Sequence, residues 1–370
     1  MTPANLHAEG VELLAALRAS RERFREVLYE EVTGAHGATS DAHGLLRFKL
    51  MLALQYDSAP EDHDLARAVF EQEVVSHERS TFQGLDDSLR LGAYLLCGYR
   101  DPQDVWLLWR AKTANFDTEC GFDGEYLVSC GVQDTFGYLA GQTHPDKDDL
   151  LEYLGGSIEG CPFDASGVER WWEAQRRYFP ATPEQENPVT LLYRAISFGA
   201  IELGRQLLDA WEAAQRIRDV AMLDHLRRRR EDLAQPELAI AAQRELLAQK
   251  DLSDHWEVTS ATRDLAQILL RAEQPASAWA TILSLQDRLT QFDDWKPCGL
   301  GRMVVETAID ASLALPAGHA DKATALNWAK ARLQEGCSHS PLILERGMQA
   351  ARELRDEATE RFFSKLRLTP

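Results

Sequence analysis

Cysteine is scarce in this chain: Cys97, Cys120, Cys130, Cys161, Cys298 and Cys337 are scattered over 370 residues, and no two form C-x-x-C. A disulfide framework and a zinc ribbon are thereby excluded as organising devices, and reduced structural thiols are expected. Long apolar runs are also missing. No stretch approaches eighteen uncharged apolar residues, which predicts no membrane-spanning helix. The opening MTPANLHAEGVELLAALRAS puts Glu9 and Glu12 where the apolar core of a secretion signal would lie, so a cytoplasmic protein is expected. Ten histidines include no H-E-x-x-H pair, and no glycine-rich phosphate cradle is present. GSIEG at 156–160 misses the nucleophile-elbow spacing, because Ser157 directly follows Gly156. No cofactor is expected.

Basic residues are in deficit as well, with 40 Lys/Arg against 59 Asp/Glu and a formal charge of −19. The deficit is uneven. Residues 1–185 carry 16 basic and 32 acidic side chains, a net −16, whereas residues 186–370 carry 24 and 27, a net −3. Within the first half, residues 101–164 hold 3 basic and 13 acidic residues, a net −10. A field of that sign repels nucleic acid and anionic membranes and favours a basic protein partner.

What the sequence does have is helical periodicity nearly throughout, with apolar residues three and four apart and few alternating runs. The pattern predicts helices over 8–31, 42–56, 62–78, 86–98, 102–115, 123–139, 147–154, 167–178, 188–198, 201–230, 236–249, 253–272, 275–291, 301–314, 320–334 and 341–367. The fold class is all-α. Asp101-Pro102, Gln235-Pro236 and Gln274-Pro275 begin helices, because proline in the first turn loses no hydrogen bond and Asp101 supplies a cap. Breaks this short return the chain beside itself as antiparallel hairpins. Loop-rich residues 140–190 interrupt the rhythm, and a division into 1–180, acidic, and 181–370, with a terminal capping helix, is expected.

Two stretches share one frame: AYLLCGYRDPQDVWLLW at 93–109 and AQILLRAEQPASAWATI at 266–282. Leu265-Ala266, Ala278 and Ile282 stand where a tetratricopeptide repeat places its small and large contact residues. Ala93, Val105 and Trp109 repeat the frame, Leu52-Ala53, Ala66 and Phe70 repeat it with one extra loop residue, and Ala239 gives a partial copy. Leu285 and Thr290 depart from the family pattern. The chain thus resembles a degenerate tetratricopeptide-like array. The resemblance implies antiparallel hairpins stacked as an irregular α-solenoid.

The densest polar constellation is NFDTECGFDGEYLVSCG at 115–131, with Asp117, Glu119, Asp123 and Glu125 between Cys120 and Cys130. Four carboxylates so close suit an acidic lip for Lys/Arg, an acid/base pair, hard-metal ligands, or ordinary partners of a helix N-terminus. Asp101 and Asp104 lie just upstream in the same acidic region. His36, Asp41 and His43 are the nearest approach to a metal cluster, and their setting reads as a loop. LRRRRED at 226–232 is the sole basic run, and four successive arginines spread around a helix as a solvated turn. Of Trp171 and Trp172, one is expected in the core and one half-exposed; Trp106 and Trp109 share a core face.

The expectation is a non-enzymatic helical-repeat protein that holds a basic partner through Asp101, Asp104, Asp117, Glu119, Asp123 and Glu125, in the manner of an immunity or antitoxin protein. The alternative is an (α/α)-toroid carbohydrate-active enzyme using paired carboxylates.

Overall fold

The computed structural model describes residues 6–34, 39–80, 84–292 and 294–367. Helix accounts for 72% of it, with twenty α-helices and one two-stranded sheet among the described residues. The all-α class is thus right. Two compact units, Met1–Gly204 and Arg205–Pro370, divide the chain inside the helix Ile201–Ala214.

The first unit opens with a helix over Ala8–Ala19, twelve residues shorter than the periodicity predicts. Ser20 turns extended at φ −157°, and its hydroxyl accepts from the Glu22 amide at 3.3 Å, starting a 3₁₀ turn over Arg21–Glu26. The chain then forms an antiparallel pair, Glu31–Thr33 against Thr39–Asp41, that the sequence pattern does not announce. Three-residue polar strands carry no apolar alternation from which to read them.

Helix Gly44–Tyr56 sits at the centre of its core, with Leu50 to Leu54 all buried. It packs on Ala8–Ala19, His63–Arg79 and Asp87–Cys97. The first of these contacts needs glycine: a Cβ at Gly10 would lie 2.0 Å from the Lys49 carbonyl oxygen. A second core gathers Leu89, Ala93, Leu96, Val105, Leu108 and Trp172. The YRDP turn has the expected form, with a short 3₁₀ turn at Pro102–Asp104 leading into Val105–Lys112 and Arg100 left-handed at φ 54°. The helix expected over 123–139 is broken into a 3₁₀ turn, Gly124–Val128, and a helix, Val132–Ala140, by Gly131 at φ 117°.

The loop after helix Ala165–Tyr178 is fastened to this unit by buried polar groups. Gln55 Nε2 donates to the Pro180 carbonyl at 2.7 Å, and Tyr56 and Arg194 both meet Glu186 Oε1 at 2.5 Å. Burial, followed by the hydrogen bond to Glu186, pushes the Tyr56 hydroxyl pKa up.

In the second unit consecutive helices pack in pairs: Val220–Asp232 with Pro236–Ala248, His255–Arg271 with Pro275–Leu283, Gly299–Ala314 with Ala320–Gln334, and Pro341–Glu353 with Glu357–Arg367. Three turns use one device. Ala234, Glu273 and Arg355 are left-handed at φ 53°, 59° and 55°, and the next amide reaches back to the helix, as when Gln235 donates to the Arg230 carbonyl at 2.8 Å. This closes the orphan carbonyls of each helix end at the cost of a strained non-glycine residue. The same device splits the expected 341–367 helix at Arg355-Asp356, so its end is a hairpin and not one capping helix. The 201–230 helix likewise divides, with Asp219 capping the second part through the Met222 amide at 2.9 Å. The 275–291 helix ends at Leu283 before a single turn, Gln286–Leu289. Ala239, Ala266, Ala278 and Ile282 are all buried where these helices meet, beside Trp279 and Trp295.

Candidate functional site

The turn at Asp101-Pro102 brings two of the predicted acids to helix His63–Arg79. Asp101 Oδ1 accepts from the Gln103 amide at 2.9 Å and so caps the turn. Asp104, only 2% exposed, accepts from Arg67 Nε at 2.6 Å and pairs with His63 Nε2 at 2.8 Å. Arg67 also reaches Asp101 at 3.1 Å, and the His63 ring stacks on Tyr99 with centroids 4.7 Å apart. Burial works against the Arg67 charge, but Asp104 and Asp101 outweigh it and raise its pKa. His63, Asp101 and Asp104 offer ligand atoms within 4.8 Å of one another, a spacing a cation accepts. The Arg67 guanidinium already supplies that positive charge, and the cluster acts as an internal tie between the helix and the turn.

The 115–131 stretch is built on Asn115. Its side chain accepts from the Thr118 amide at 3.0 Å, Thr118 Oγ1 accepts from the Asn115 amide at 2.9 Å, and Asn115 Nδ2 donates to the His77 and Gly84 carbonyls. This reciprocal cap starts the short helix Phe116–Gly121. Lys112 closes its other end from below, donating to the Glu119 carbonyl at 2.5 Å and the Phe122 carbonyl at 2.8 Å. Burial lowers the Lys112 pKa, against the pull of nearby acids. Asp123 accepts from Trp171 Nε1 at 2.8 Å and Gln175 Nε2 at 3.1 Å, which ties the stretch to helix Ala165–Tyr178.

The six predicted residues therefore fall into two groups. Asp101, Asp104 and Asp123 spend their oxygens inside the fold, whereas Asp117 and Glu119 are exposed and Glu125 is half-buried. Asp134, Asp146, Asp148, Asp149, Glu152, Glu159 and Asp164 are exposed too, so nine of the thirteen acids of residues 101–164 face solvent. The three basic residues of that region are all engaged. Arg110 pairs with Glu78 at 2.6 Å, Lys112 is buried on carbonyls, and Lys147 donates to the Gln142 carbonyl at 2.9 Å.

Other sequence candidates resolve differently. His36 lies outside the described residues; Asp41 pairs with Arg47 at 2.5 Å, and His43 Nδ1 donates to the Leu28 carbonyl at 2.8 Å. The arginine run is helical and is not a solvated turn. Arg230 is buried against Asp209 and Glu212 at 2.6 Å each, and Arg227 bridges Asp224 and Glu231. Trp172 is core and Trp171 half-buried, as expected; Trp109 is buried and Trp106 stacks on His144 at 4.0 Å. Burial raises the Cys97 thiol pKa and pushes Cys337 up to about 11, which keeps both protonated and unreactive.

Sequence reasoning missed two buried arginines of the first unit, Arg47 and Arg194. Each interrupts an apolar run, LLRFKLML and LLYRAIS, and an arginine inside such a run is the available signal. Comparison with protein-family models, with curated proteins and with solved structures found no match.

Proposed function

We propose that this chain is a non-enzymatic, protein-binding helical protein whose acidic region 101–164 holds a basic segment of a partner. Stacked helical hairpins, tetratricopeptide-like in their contact residues, form the scaffold, and the exposed carboxylates steer and grip Lys/Arg. An immunity or antitoxin protein that covers a basic toxin works in this way. The single observation that carries the reading is the imbalance of residues 101–164: nine exposed carboxylates, with all three local cations tied down. Such a surface accelerates encounter with an opposite charge far more than it deepens the final affinity. Asp117, Glu119 and Glu125 are the predicted acids left to touch a partner. Asp101, Asp104 and Asp123 hold the surface in place.

The enzyme alternative needs a carboxylic acid able to protonate a leaving group and a second carboxylate facing it. Asp101 and Asp104 both sit on Arg67, and Asp123 accepts two hydrogen bonds, so no observation favours that reading.

The test is a salt-gradient capture of partners followed by association kinetics. A basic protein retained at low salt is offered to the wild type and to D117K/E119K/E125K. The association rate should fall by about tenfold or more and lose much of its salt dependence. Equal rates and equal salt slopes for the two proteins would overturn the proposal.

A further inference from the structure

A cavity of about 650 Å³ lies within the first unit, between helix Gly44–Tyr56, the YRDP turn and helix Ala165–Tyr178. Tyr94, Trp172 and Phe179 supply its apolar walls; Tyr94 lies 5.7 Å from the Trp172 ring and 5.0 Å from the Phe179 ring. That volume falls within the range of small-molecule sites.

Two guanidinium groups share the Trp172 indole. Arg100 Cζ lies 6.0 Å and Arg176 Cζ 5.8 Å from the ring centroid. The left-handed turn places Arg100 there, and the last turn of helix Ala165–Tyr178 places Arg176. Arg176 has one exposed carboxylate partner, Glu169 at 3.2 Å, and among the described residues none forms an ion pair with Arg100. Both guanidinium groups line the cavity, and each offers a fork of donors to an anion bound there. In a chain of charge −19 this local excess of cations is the exception.

A third feature belongs to the same cavity. Gln55 lines it and is 92% buried, its relative exposure being 8%. Its Nε2 is committed to the Pro180 carbonyl and Glu186, both acceptors, which fixes the amide orientation. The remaining atom, Oε1, is buried and has no hydrogen-bond partner. Gln55 therefore serves the cavity as a fixed piece of its wall.

We infer that this cavity binds a planar organic anion: a flat ring against Trp172 and Tyr94, and a phosphate or carboxylate held by Arg100 and Arg176. Arginine forks suit both anionic groups, and the indole face suits any flat ring. The site needs none of the acids assigned to partner binding, so either reading stands without the other.

The test is a titration by calorimetry with two sets of probes: the four ribonucleoside 5′-monophosphates, and the aromatic carboxylates benzoate and indole-3-carboxylate. Saturable binding of either set is expected, and the stronger set identifies the anion as phosphate or carboxylate. In R100A/R176A the Kd should rise at least about tenfold, and R100K/R176K should recover part of the loss by keeping the charge. Both arginines are exposed, and unchanged circular dichroism melting of the variants would separate loss of binding from loss of fold. No saturable binding by any probe, or binding that R100A/R176A leaves intact, would overturn the inference.

Discussion

Replacing Arg47 with methionine should be the most damaging single change in the first unit outside its apolar core. The Arg47 side chain is fully buried and makes three ties: Nε to Glu73 at 2.7 Å, Nη2 to Asp41 at 2.5 Å, and Nη1 to the Val27 carbonyl at 3.2 Å. Glu73 in turn accepts from Ser88 Oγ at 2.6 Å, so one guanidinium joins the strand pair to three helices. Burial opposes its charge, but Glu73 and Asp41 outweigh that and raise its pKa. Methionine keeps most of the stem and removes the charge, stranding two carboxylates that are 6% and 5% exposed. Breaking a buried pair by removing one partner costs about 3–5 kcal/mol. For a unit of this size that corresponds to a fall in Tm of roughly 6–20 °C. Urea unfolding followed by circular dichroism measures the total, and hydrogen exchange over residues 27–56 localises it. The triple variant R47M/D41N/E73Q should regain at least about 1–2 kcal/mol, because no ion is then left uncompensated. If R47M lay within about 1 kcal/mol of wild type, or if the triple variant were no more stable than the single one, the reasoning about buried charge would fail.

Two further outcomes follow from the second unit. A Cβ on Gly347 would stand 2.5–2.7 Å from three atoms of the fully buried Phe363 ring, so G347A should destabilise by about 1–2 kcal/mol after its gain in helix propensity. In a double-mutant cycle F363L should remove much of that penalty, and simple additivity of the two changes would count against the clash. Burial raises Asp310 to about 6; Arg346, 2.6 Å away, offsets this only in part, and Glu306 adds to the rise. The folded state then binds more protons than the unfolded state between the unfolded pKa of 3.8 and the folded pKa of about 6, so stability falls as pH rises through that window. The advantage of D310N over wild type should therefore grow by about 2–3 kcal/mol between pH 4 and pH 7. A flat difference in urea midpoint over that range would show that the carboxyl is not raised.

Local signals were legible where one or two residues decide the outcome. Pro102, Pro236 and Pro275 fixed helix starts, and the residue two places before each took the left-handed turn that the hairpins require. The alanines of the repeat frame are buried, because small residues are what close helix contacts admit. Helix ends set by context were not legible. Residues 20–31 keep a helical pattern of charges, yet the Ser20 cap and the strand pair override it. The same holds for the acids. Asp101 and Asp104 are visible in sequence, but Arg67, which pairs with both, lies 34 and 37 residues earlier in the chain. Arg230 reads as solvated because its partners, Asp209 and Glu212, reach it only from a neighbouring helix.

The carboxylates of this protein form two populations with opposite responses to ionic strength. Asp41, Glu73 and Asp104 face arginines at 2.5–2.7 Å with side chains at most 6% exposed, where counterions do not enter. The exposed acids of residues 101–164 lie within reach of the ion atmosphere, which at physiological salt screens over about 8 Å. Added salt therefore weakens the long-range field of the surface while leaving the internal ties in force. Ionic strength thus sets the reach of the exposed charge without loosening the framework that displays it.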